Sequence, residues 1–402
     1  MPEKIEYRQV TPEERVRLAR MQNTTFSINL DENGIREKVA KNQTLFGAFK
    51  DPLVYAAIDG EGHILAGMEA IPLSMWFDGQ RVPMWGIGCV VTTPESRRQG
   101  HIRNIFAEIF KEIHERGAVF SHLYPFSQDF YRQFGYEQCG AAKKYNLPLA
   151  PARRLKNDGR AYEFTTDGGA EIRDELIRVY EDWASRHSLM LSRFPEQWDS
   201  VLNLPYFGAD RLYYWRDAEG VIKAWVKFRK DGGILNILDI AWADREAMLG
   251  ILQFMGMYEG QADRIAIKAG PEFTAELYWN NLYEIGIETA WMGMSRILNA
   301  KRALELMEKP RESGGFIIKI NDGFAAWNNR TYAVAYGGGE TAVTESNAAP
   351  DIEVNERALL QLVLGVYEFG QTAGRGDVRI NSNIETLEKV FRQKKLLITD
   401  MI

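Results

Sequence analysis

The stretch of residues 86–113 constrains the fold of this chain more than any other. Residues 86–91 are apolar and rich in β-branched side chains, which predicts a buried strand. Pro94 ends that strand, because proline has no backbone N–H and restricts the residue before it. Apolar residues then recur at the spacing of one buried helix face, which predicts an amphipathic helix that stops near Gly117. They are Ile102, Ile105, Phe106, Ile109, Phe110 and Ile113.

The loop between this strand and this helix carries two positive charges, on Arg97 and Arg98. Positive charge at a helix N-terminus opposes the helix dipole, which favours anions there. Both arginines are accommodated if an anion lies between them and the unpaired backbone N–H groups of residues 99–102. Gly100 would let the backbone approach that anion closely. The alternative is that both arginines are solvated surface charges.

The order Arg97-x-x-Gly100, directly after a strand ending Val-Val-Thr-x-Pro, resembles motif A of the GNAT acetyltransferases. That resemblance implies a loop that binds the pyrophosphate of acetyl-coenzyme A. The family has a small residue where this chain has Ile102, and the enhanced intracellular survival (Eis) branch tolerates that departure. We expect the side chain of His101, in the first helical turn, to be exposed. The coenzyme-binding residues that the resemblance implies are Val90, Thr92, Arg97, Arg98, Gln99, Gly100, His101 and Ile102.

A second informative stretch runs from Phe130 to Tyr136. Aromatic residues at this spacing indicate core packing, with Gly135 closing a short helix. The order Tyr-x-x-Phe-Gly-Tyr also resembles the Eis family, which implies that Tyr131 is the general acid. A phenol with a pKa of about 10 stays protonated at neutral pH and can donate to a departing thiolate. The alternative is that Tyr131 is a hydrogen-bonded core residue.

Composition limits the class of protein. A chain of 402 residues predicts two or three domains. A net charge of −6 argues against a nucleic-acid partner and suits a cationic substrate. The cysteines, Cys89 and Cys139, form no disulfide framework, which fits a reducing cytoplasm. The sequence shows no signal peptide, no membrane-spanning run and no histidine spacing typical of a metal site, so we expect no metal and no membrane partner.

Residues 1–150 read as a first α/β unit in the order of a GNAT domain. We expect a strand at residues 44–50, and a strand at residues 145–149 that completes the unit. Residues 151–290 partly repeat the pattern, with a strand at 234–242 and a helix at 245–258. The turn between those two contains Asp244 and Glu246, whose charges would repel phosphate. We therefore predict a second GNAT-like domain that does not bind coenzyme A.

The pattern changes in residues 291–402. We predict a last helix of the second domain at 274–282 and, within residues 291–402, a helix at 295–307, strands at 315–321 and 330–336, and a glycine-rich loop at 337–350. This region resembles the sterol-carrier-like domain that ends Eis-family proteins. The predicted fold class is therefore α/β: two tandem GNAT-like domains, each a mixed sheet flanked by helices, followed by a sterol-carrier-like α+β domain.

The end of the chain supplies the remaining predicted site residues. In the Eis family the C-terminal carboxylate is taken to act as the base, which implies the carboxylate of Ile402. The apolar residues 396–398 suit a buried end, although a simple last strand is the alternative. A carboxylate with a pKa of about 3.5 is a weak base unless desolvation raises its pKa. Asp400 is a candidate for binding a substrate ammonium group.

These observations predict an acetyl-coenzyme-A-dependent N-acetyltransferase that acts on polycationic amines. The resemblance implies aminoglycosides as substrates and a hexamer as the assembly. The same site could acetylate lysine or a polyamine instead. A different class of function also stays open, a carrier or sensor that binds an apolar ligand in the third domain while the GNAT site is degenerate.

Overall fold

The computed structural model describes residues 4–47, 49–166, 169–204 and 208–401. In the described chain, strands and helices alternate in a mixed α/β fold built on two sheets of seven strands and one of five. The strands in chain order are β1 Glu6–Gln9, β2 Leu53–Ile58, β3 Ile64–Phe77, β4 Gln80–Thr92, β5 Phe120–Leu123, β6 Glu137–Gln138, β7 Ala141–Pro148, β8 Arg160–Phe164, β9 Asp210–Arg216, β10 Ile222–Asp231, β11 Ile234–Trp242, β12 Arg264–Ala269, β13 Gly286–Trp291, β14 Met294–Ile297, β15 Gly314–Asn321, β16 Thr331–Gly337, β17 Glu340–Glu345, β18 Ile352–Asn355 and β19 Val378–Ile380.

The helices flank these sheets. They are α1 Pro12–Thr25, α2 Glu32–Ala40, α3 His101–Glu115, α4 Gln128–Arg132, α5 Leu149–Ala152, α6 Ala170–Ala184, α7 Pro195–Leu202, α8 Arg245–Gly256, α9 Ala300–Leu306, α10 Glu356–Leu364, α11 Phe369–Ala373 and α12 Ile384–Val390. Short 3-10 turns lie at Pro94–Ser96, Ala275–Leu277, Leu282–Glu284 and Ala326–Asn328. No helix in the described ranges is long and apolar enough to cross a bilayer.

The first sheet has the strand order β1-β2-β3-β4-β5-β14-β6. Helix α3 covers one face of it, and the six apolar residues predicted from helical spacing are all at most 8% exposed. The predicted strand, loop and helix are therefore confirmed, with the strand extended to Gln80–Thr92. Helix α1 covers the opposite face, where Leu18 lies so close to Gly67 of β3 that an added Cβ would clash with it.

The second sheet has the order β13-β7-β12-β11-β10-β9-β8. Strands β11 and β12 pair in parallel around helix α8, as β4 and β5 do around α3. The predicted tandem of GNAT-like folds is therefore confirmed. The side chain of Asp244 accepts a hydrogen bond from the backbone N–H of Ala247 and caps α8. A protein carboxylate thus occupies the N-terminal end of α8, whereas an anion is predicted at the equivalent end of α3.

Two strands lie in sheets other than those the sequence order predicts. The strand predicted to complete the first unit at residues 145–149 is β7, and it pairs with β12 and β13 in the second sheet. Strand β14, predicted as the start of a helix, instead joins the first sheet between β5 and β6. The helix there begins only at Ala300. The predicted placement of residues 145–149 in the first unit was wrong because alternating apolar residues define a strand and do not define its partner.

Three further predictions of local structure were wrong. Among the described residues of the predicted strand 44–50, only Lys50 takes part in β-pairing, in an isolated bridge with Gln43. The helix predicted at 274–282 is replaced by short 3-10 turns, while Trp279 is buried and its indole N–H donates to the carbonyl of Pro148. The glycine-rich segment 337–350 contains β17, because Gly338 and Gly339 adopt positive φ angles of 61° and 86° and form a two-residue hairpin turn.

The third sheet has the order β17-β16-β15-β18-β19, and helix α10 packs against it and against β14 of the first sheet. The last described residues leave this domain and run into the body of the molecule. Leu396, Leu397 and Ile398 are all at most 7% exposed. The predicted burial of this apolar segment is confirmed.

Candidate functional site

A cleft opens where β4 and β5 separate. The two strands pair in parallel over only three register positions, which end at Gly86 opposite His122. Strand β5 then ends at Leu123, whereas β4 continues to Thr92. The backbone groups along residues 87–92 therefore lack a β5 partner on this side, and they are available to a ligand.

A β-bulge turns β4 within this cleft. Gly67 of β3 pairs with Val91 and Glu69 pairs with Gly88, so one residue of β3 faces two residues of β4. One of these, Cys89, has a φ of 51° in the left-handed region. A bulge of this kind re-aims backbone groups out of the ladder. It does so here at Cys89 and Val90, where β5 is absent.

Helix α3 begins beside the end of β4. Gly100 takes the N-cap position with a φ of 82°, no side chain caps the helix, and its first turn holds no acidic residue. The first ladder bond runs from the N–H of Asn104 to the carbonyl of Gly100, at 3.2 Å. The amides of residues 101–103 thus point out of the helix without intrahelical partners, which is the arrangement that binds anions.

The predicted arginines lie on the surface at this helix end. Arg97 and Arg98 are exposed, and neither forms an ion pair with the residues that the structure describes. Arg98 has a φ of 63°, so the backbone before the helix is itself left-handed. The side chain of Gln99 donates to the carbonyl of Glu95 at 3.1 Å and closes the loop. Arg97 and Arg98 thus present two solvent-facing positive charges beside the unpaired amides of residues 101–103.

His101 is buried rather than exposed as predicted, with 3% of its surface accessible. Its Nδ1 lies 3.2 Å from the hydroxyl of Tyr7 on β1, and burial lowers its pKa. Its Nε2 has no hydrogen-bond partner among the described residues. The prediction failed because β1, which is distant in sequence, covers the first turn of the helix. Ile102 is a core residue, so only its amide faces the helix end.

Tyr131 lies in α4 and belongs to the same apolar cluster as Phe106 of α3. The ring of Tyr131 meets Phe106 edge to face at a centroid distance of 6.3 Å, and Val90 packs against this cluster. Burial raises the pKa of Tyr131 well above its ordinary value. The structure therefore places the protonated phenol of Tyr131 and the bulged part of β4 against the same apolar cluster.

An arginine that the sequence analysis missed holds the turn after α4. Arg296 of β14 is fully buried and donates two bonds of 2.7 Å to the carboxylate of Asp322. It also donates to the backbone carbonyl of Phe134. A Cβ on Gly135 would lie 1.8 Å from the Arg296 guanidinium. Glycine in the Phe-Gly-Tyr sequence is thus required by an arginine 161 residues away.

Two more residues at the mouth of the cleft carried no sequence signal. His122, the last residue of β5 to pair with β4, is fully buried and its Nδ1 lies 2.8 Å from the hydroxyl of Ser295. Burial lowers the pKa of His122 to about 3, so the imidazole is neutral. Its ring meets Tyr124 edge to face at 5.4 Å. Tyr124 in turn contacts the end of the chain.

A buried carboxyl group, also missed, lies one strand away from the cleft. Glu69 of β3 is 3% exposed and its Oε2 has no hydrogen-bond partner among the described residues. Burial raises its pKa to about 7, although Arg15, the Cys89 thiol and Lys38 oppose that rise.

No group of three or more His, Cys, Asp or Glu side chains within the described ranges is arranged to hold a metal ion.

The end of the chain reaches the cleft. The hydroxyl of Tyr124 donates to the backbone carbonyl of Asp400 at 3.0 Å. The Asp400 carboxylate, predicted to bind a substrate ammonium, forms an ion pair with Arg193 at 2.9 Å. A protein guanidinium thus already pairs with this carboxylate, and its contact with a substrate stays a prediction. Ile402, the predicted base, lies outside the described residues.

The fold and the cleft agree with comparisons to known proteins. Residues 6–139 match the acetyltransferase (GNAT) domain family, and residues 300–398 match the sterol carrier protein domain family. N-acetyltransferase Eis of Mycobacterium tuberculosis is 23% identical over 358 residues, which are 80% of this chain and 81% of that protein.

Solved structures share the whole architecture. A probable N-acyltransferase from Enterococcus faecalis superimposes with a TM-score of 0.85 at 19% identity, over 99% of this chain and 100% of that one. Eis1 from Mycobacterium abscessus superimposes with a TM-score of 0.78 at 15% identity, with the same coverage of both chains. At these identities the likeness concerns the fold.

A bulged strand that parts from its neighbour beside an uncapped helix N-terminus, in a chain with these two domain matches, defines a GNAT N-acetyltransferase. The sterol carrier protein domain at residues 300–398 distinguishes this chain from acetyltransferases that consist of GNAT domains alone. Over four fifths of its length the chain is similar in sequence to the Eis N-acetyltransferases, and it shares their GNAT and sterol carrier protein domains.

Proposed function

We propose that this enzyme transfers an acetyl group from acetyl-coenzyme A to an amine of a polycationic substrate, with aminoglycosides as the leading class. The observation that carries the proposal is the uncapped N-terminus of α3 beside the open edge of β4, with two exposed arginines above it that form no ion pair with any described residue. A diphosphate fits this helix end, because backbone amides and guanidinium groups both donate to phosphate oxygens.

Each coenzyme contact has a distinct physical basis. Arg97 and Arg98 bind the diphosphate from the solvent side, and the amides of residues 99–102 bind it from the helix side. The backbone groups of Val90 and Thr92, which have no β5 partner, bind the pantetheine arm. A backbone N–H at the bulge donates to the thioester carbonyl and stabilises the oxyanion that forms there. Cys89 is left as a packing residue, since burial raises the pKa of its thiol.

The reaction needs one proton donor and one proton acceptor. The neutral amine attacks the thioester carbonyl carbon, a C–N bond forms, and the C–S bond then breaks. Tyr131 donates its proton to the departing thiolate, and its raised pKa keeps it protonated until that step. The carboxylate of Ile402 accepts the proton that the amine loses. The contact between Asp400 and Tyr124 supports this role, because it holds the chain two residues earlier at the cleft.

The net charge of −6 supports a cationic acceptor, and resemblance to the Eis family supports aminoglycosides among such acceptors. Lysine side chains and linear polyamines are the second class of acceptor. Cys89 and Cys139 are both free thiols, which supports a cytoplasmic setting, and family resemblance favours a hexamer. A carrier or sensor function is the third possibility, and the unpaired arginines disfavour it.

Coenzyme A release can be measured across a panel of aminoglycosides, polyamines and lysine peptides. We expect turnover on aminoglycosides, and at least a tenfold loss of kcat/KM for acetyl-coenzyme A in an Arg97→Glu and Arg98→Glu double variant. A Lys111→Glu and Lys230→Glu variant is the matched control, since it changes net charge equally through two exposed lysines that form no ion pair with the described residues. Equal activity of the two double variants would contradict the proposed coenzyme site.

The proposed base is tested at the chain end. Deletion of Ile402, or a C-terminal tag, should nearly abolish turnover while acetyl-coenzyme A still raises the melting temperature. Full activity with a tag would remove this carboxylate from the reaction. Binding of acetyl-coenzyme A without turnover on any amine would favour the carrier or sensor.

A further inference from the structure

A buried charge cluster lies in the second domain, away from the coenzyme site. Arg193 is 8% exposed, and its Nη1 donates to Oδ2 of Asp239 on β11 at 2.6 Å. Its Nε donates to Oδ1 of Asp400 at 2.9 Å. The guanidinium lies over the rings of Tyr180 and Trp198, at 4.1 and 5.1 Å from their centroids. One arginine thus joins a core carboxylate of the second domain to the end of the chain.

Other residues of the second domain bind the same chain segment. Ser188 forms a parallel bridge with Leu396, with backbone bonds of 3.0 and 3.2 Å on its two sides. Lys268 of β12 donates from Nζ to the carbonyl of Ile398 at 2.6 Å. The hydroxyl of Tyr180 lies 3.3 Å from Oδ2 of Asp400. The second domain therefore contacts residues 395–400 through backbone and side-chain groups alike.

The first domain meets the same segment at one described hydrogen bond, from Tyr124 to the Asp400 carbonyl. Tyr124 directly follows β5, whose separation from β4 forms the cleft. A chain spans at most about 3.5 Å per residue, so two more residues extend at most about 7 Å beyond Asp400. Whatever fixes Asp400 also limits where the terminal carboxylate can go.

We propose that the second GNAT-like domain is a clamp for the C-terminal tail, and that Arg193 is the positioning residue that holds Asp400 at the mouth of the acetyl-transfer cleft. The inference rests on the proposed role of the terminal carboxylate. It gives a function to a domain whose own helix α8 is capped by Asp244 in place of an anion.

An ion pair suits this task better than apolar packing does. A buried pair contributes little net stability, because desolvation offsets the attraction, but it fixes direction and register. The apolar side chains of Leu397 and Ile398 could be buried in more than one register, since packing is not directional. The guanidinium of Arg193 is fixed by its bond to Asp239, so its remaining N–H groups can donate to a second carboxylate at one position only.

Accessibility of the tail tests the clamp without using activity. Carboxypeptidase is added to the intact protein, and the release of the last residues is followed by mass spectrometry. Asp400→Asn removes the charge on the tail and leaves the pair of Arg193 with Asp239 intact. The control is Asp217→Asn, which alters another buried aspartate of the second domain, paired with Lys223 at 2.9 Å.

We expect Asp400→Asn to raise the rate of tail release at least tenfold and to lower kcat at least tenfold, with KM for acetyl-coenzyme A within twofold of the parent. Asp217→Asn should change neither quantity. In a chain lacking Ile402, Asp400→Asn should cause no further loss of kcat, because a positioning residue acts through the group that it positions.

If carboxypeptidase releases the last residues of a folded Asp400→Asn protein no faster than those of the parent, the clamp is overturned. An equal loss of kcat from Asp400→Asn with and without Ile402 would also overturn it, since that pattern indicates a purely structural role. The proposed base fails separately, if deletion of Ile402 leaves kcat intact. Arg193→Lys provides a second variant, because lysine retains the charge but cannot bridge both carboxylates, and we expect faster tail release there too.

Discussion

Glu69 provides a quantitative test of the structure around the cleft. Its carboxyl group lies beneath α1, opposite Gly88 of the bulged strand, and the pKa in the folded protein is raised from 4.5 to about 7 by burial. Below about pH 4.5 the group is protonated in folded and unfolded chains alike. Between pH 4.5 and about 7 the unfolded chain releases the proton while the folded chain retains it, so stability falls as the pH rises.

The size of this loss follows from the two pKa values. A difference of 2.5 pH units, from 4.5 to about 7, corresponds to about 3 kcal/mol at about 1.4 kcal/mol per unit. The loss is complete above about pH 7. For 402 residues unfolding as one unit, the entropy of unfolding is about 0.8 kcal/mol/K, so the melting temperature changes by about 4 °C.

Glu69→Gln keeps the shape of the side chain and removes the titration. Thermal and urea unfolding of the parent and the variant are compared from pH 4.5 to pH 8. We expect the parent to lose about 3 kcal/mol relative to the variant over this range. Glu340→Gln is the control, because Glu340 is exposed and its substitution should cause no pH-dependent difference. Parallel stability curves for the parent and Glu69→Gln would refute the reasoning.

Three further substitutions test helix α4, which carries Tyr131, and the buried arginine that supports the turn after it. Tyr131→Phe should lower kcat about 100-fold with KM unchanged, measured by coenzyme A release, because it removes only the proposed acid; an unchanged kcat would exclude that role. Gly135→Ala should lower the free energy of unfolding, measured in urea, by more than about 2 kcal/mol, because the new Cβ clashes with Arg296. Gly117→Ala is the control, because Gly117 has a φ of 85° and open space around it, so its substitution should cost only about 1 kcal/mol. Equal losses of stability in the two variants would contradict the clash. Asp322→Asn should cost about 3 kcal/mol, because it leaves the buried guanidinium of Arg296 without its counter-charge, and a cost below 1 kcal/mol would show that water replaces it.

Local signals were sufficient for the core of the site. The strand, the loop and the helix from β4 to α3 follow from apolar spacing and from Pro94 and Gly100, and the structure confirms them. The motif residues carried the family assignment, and the comparisons support it. These predictions succeeded because each depends on contacts and backbone preferences within a few residues along the chain.

The residues that sequence reasoning missed act across long separations. His122 forms a hydrogen bond with Ser295, and Arg296 donates to Asp322 and to the turn after α4. Glu69 is buried near Arg15 of α1 and Cys89 of β4. A lone histidine, arginine or glutamate has no periodic pattern, so nothing in the sequence distinguishes these residues from solvated ones. Their pKa values and partners exist only once the sheets have assembled.

The sequence by itself determined the helical and strand periodicities, the loop between β4 and α3 and the apolar end of the chain, because those depend on neighbouring residues. Tertiary structure alone decided that β7 lies in the second sheet, that β14 is a strand of the first sheet, and that Arg193 holds Asp400 beside Tyr124. Strand pairing and buried ion pairs join residues far apart in the chain, and their free energy depends on which surfaces meet, which no local pattern records.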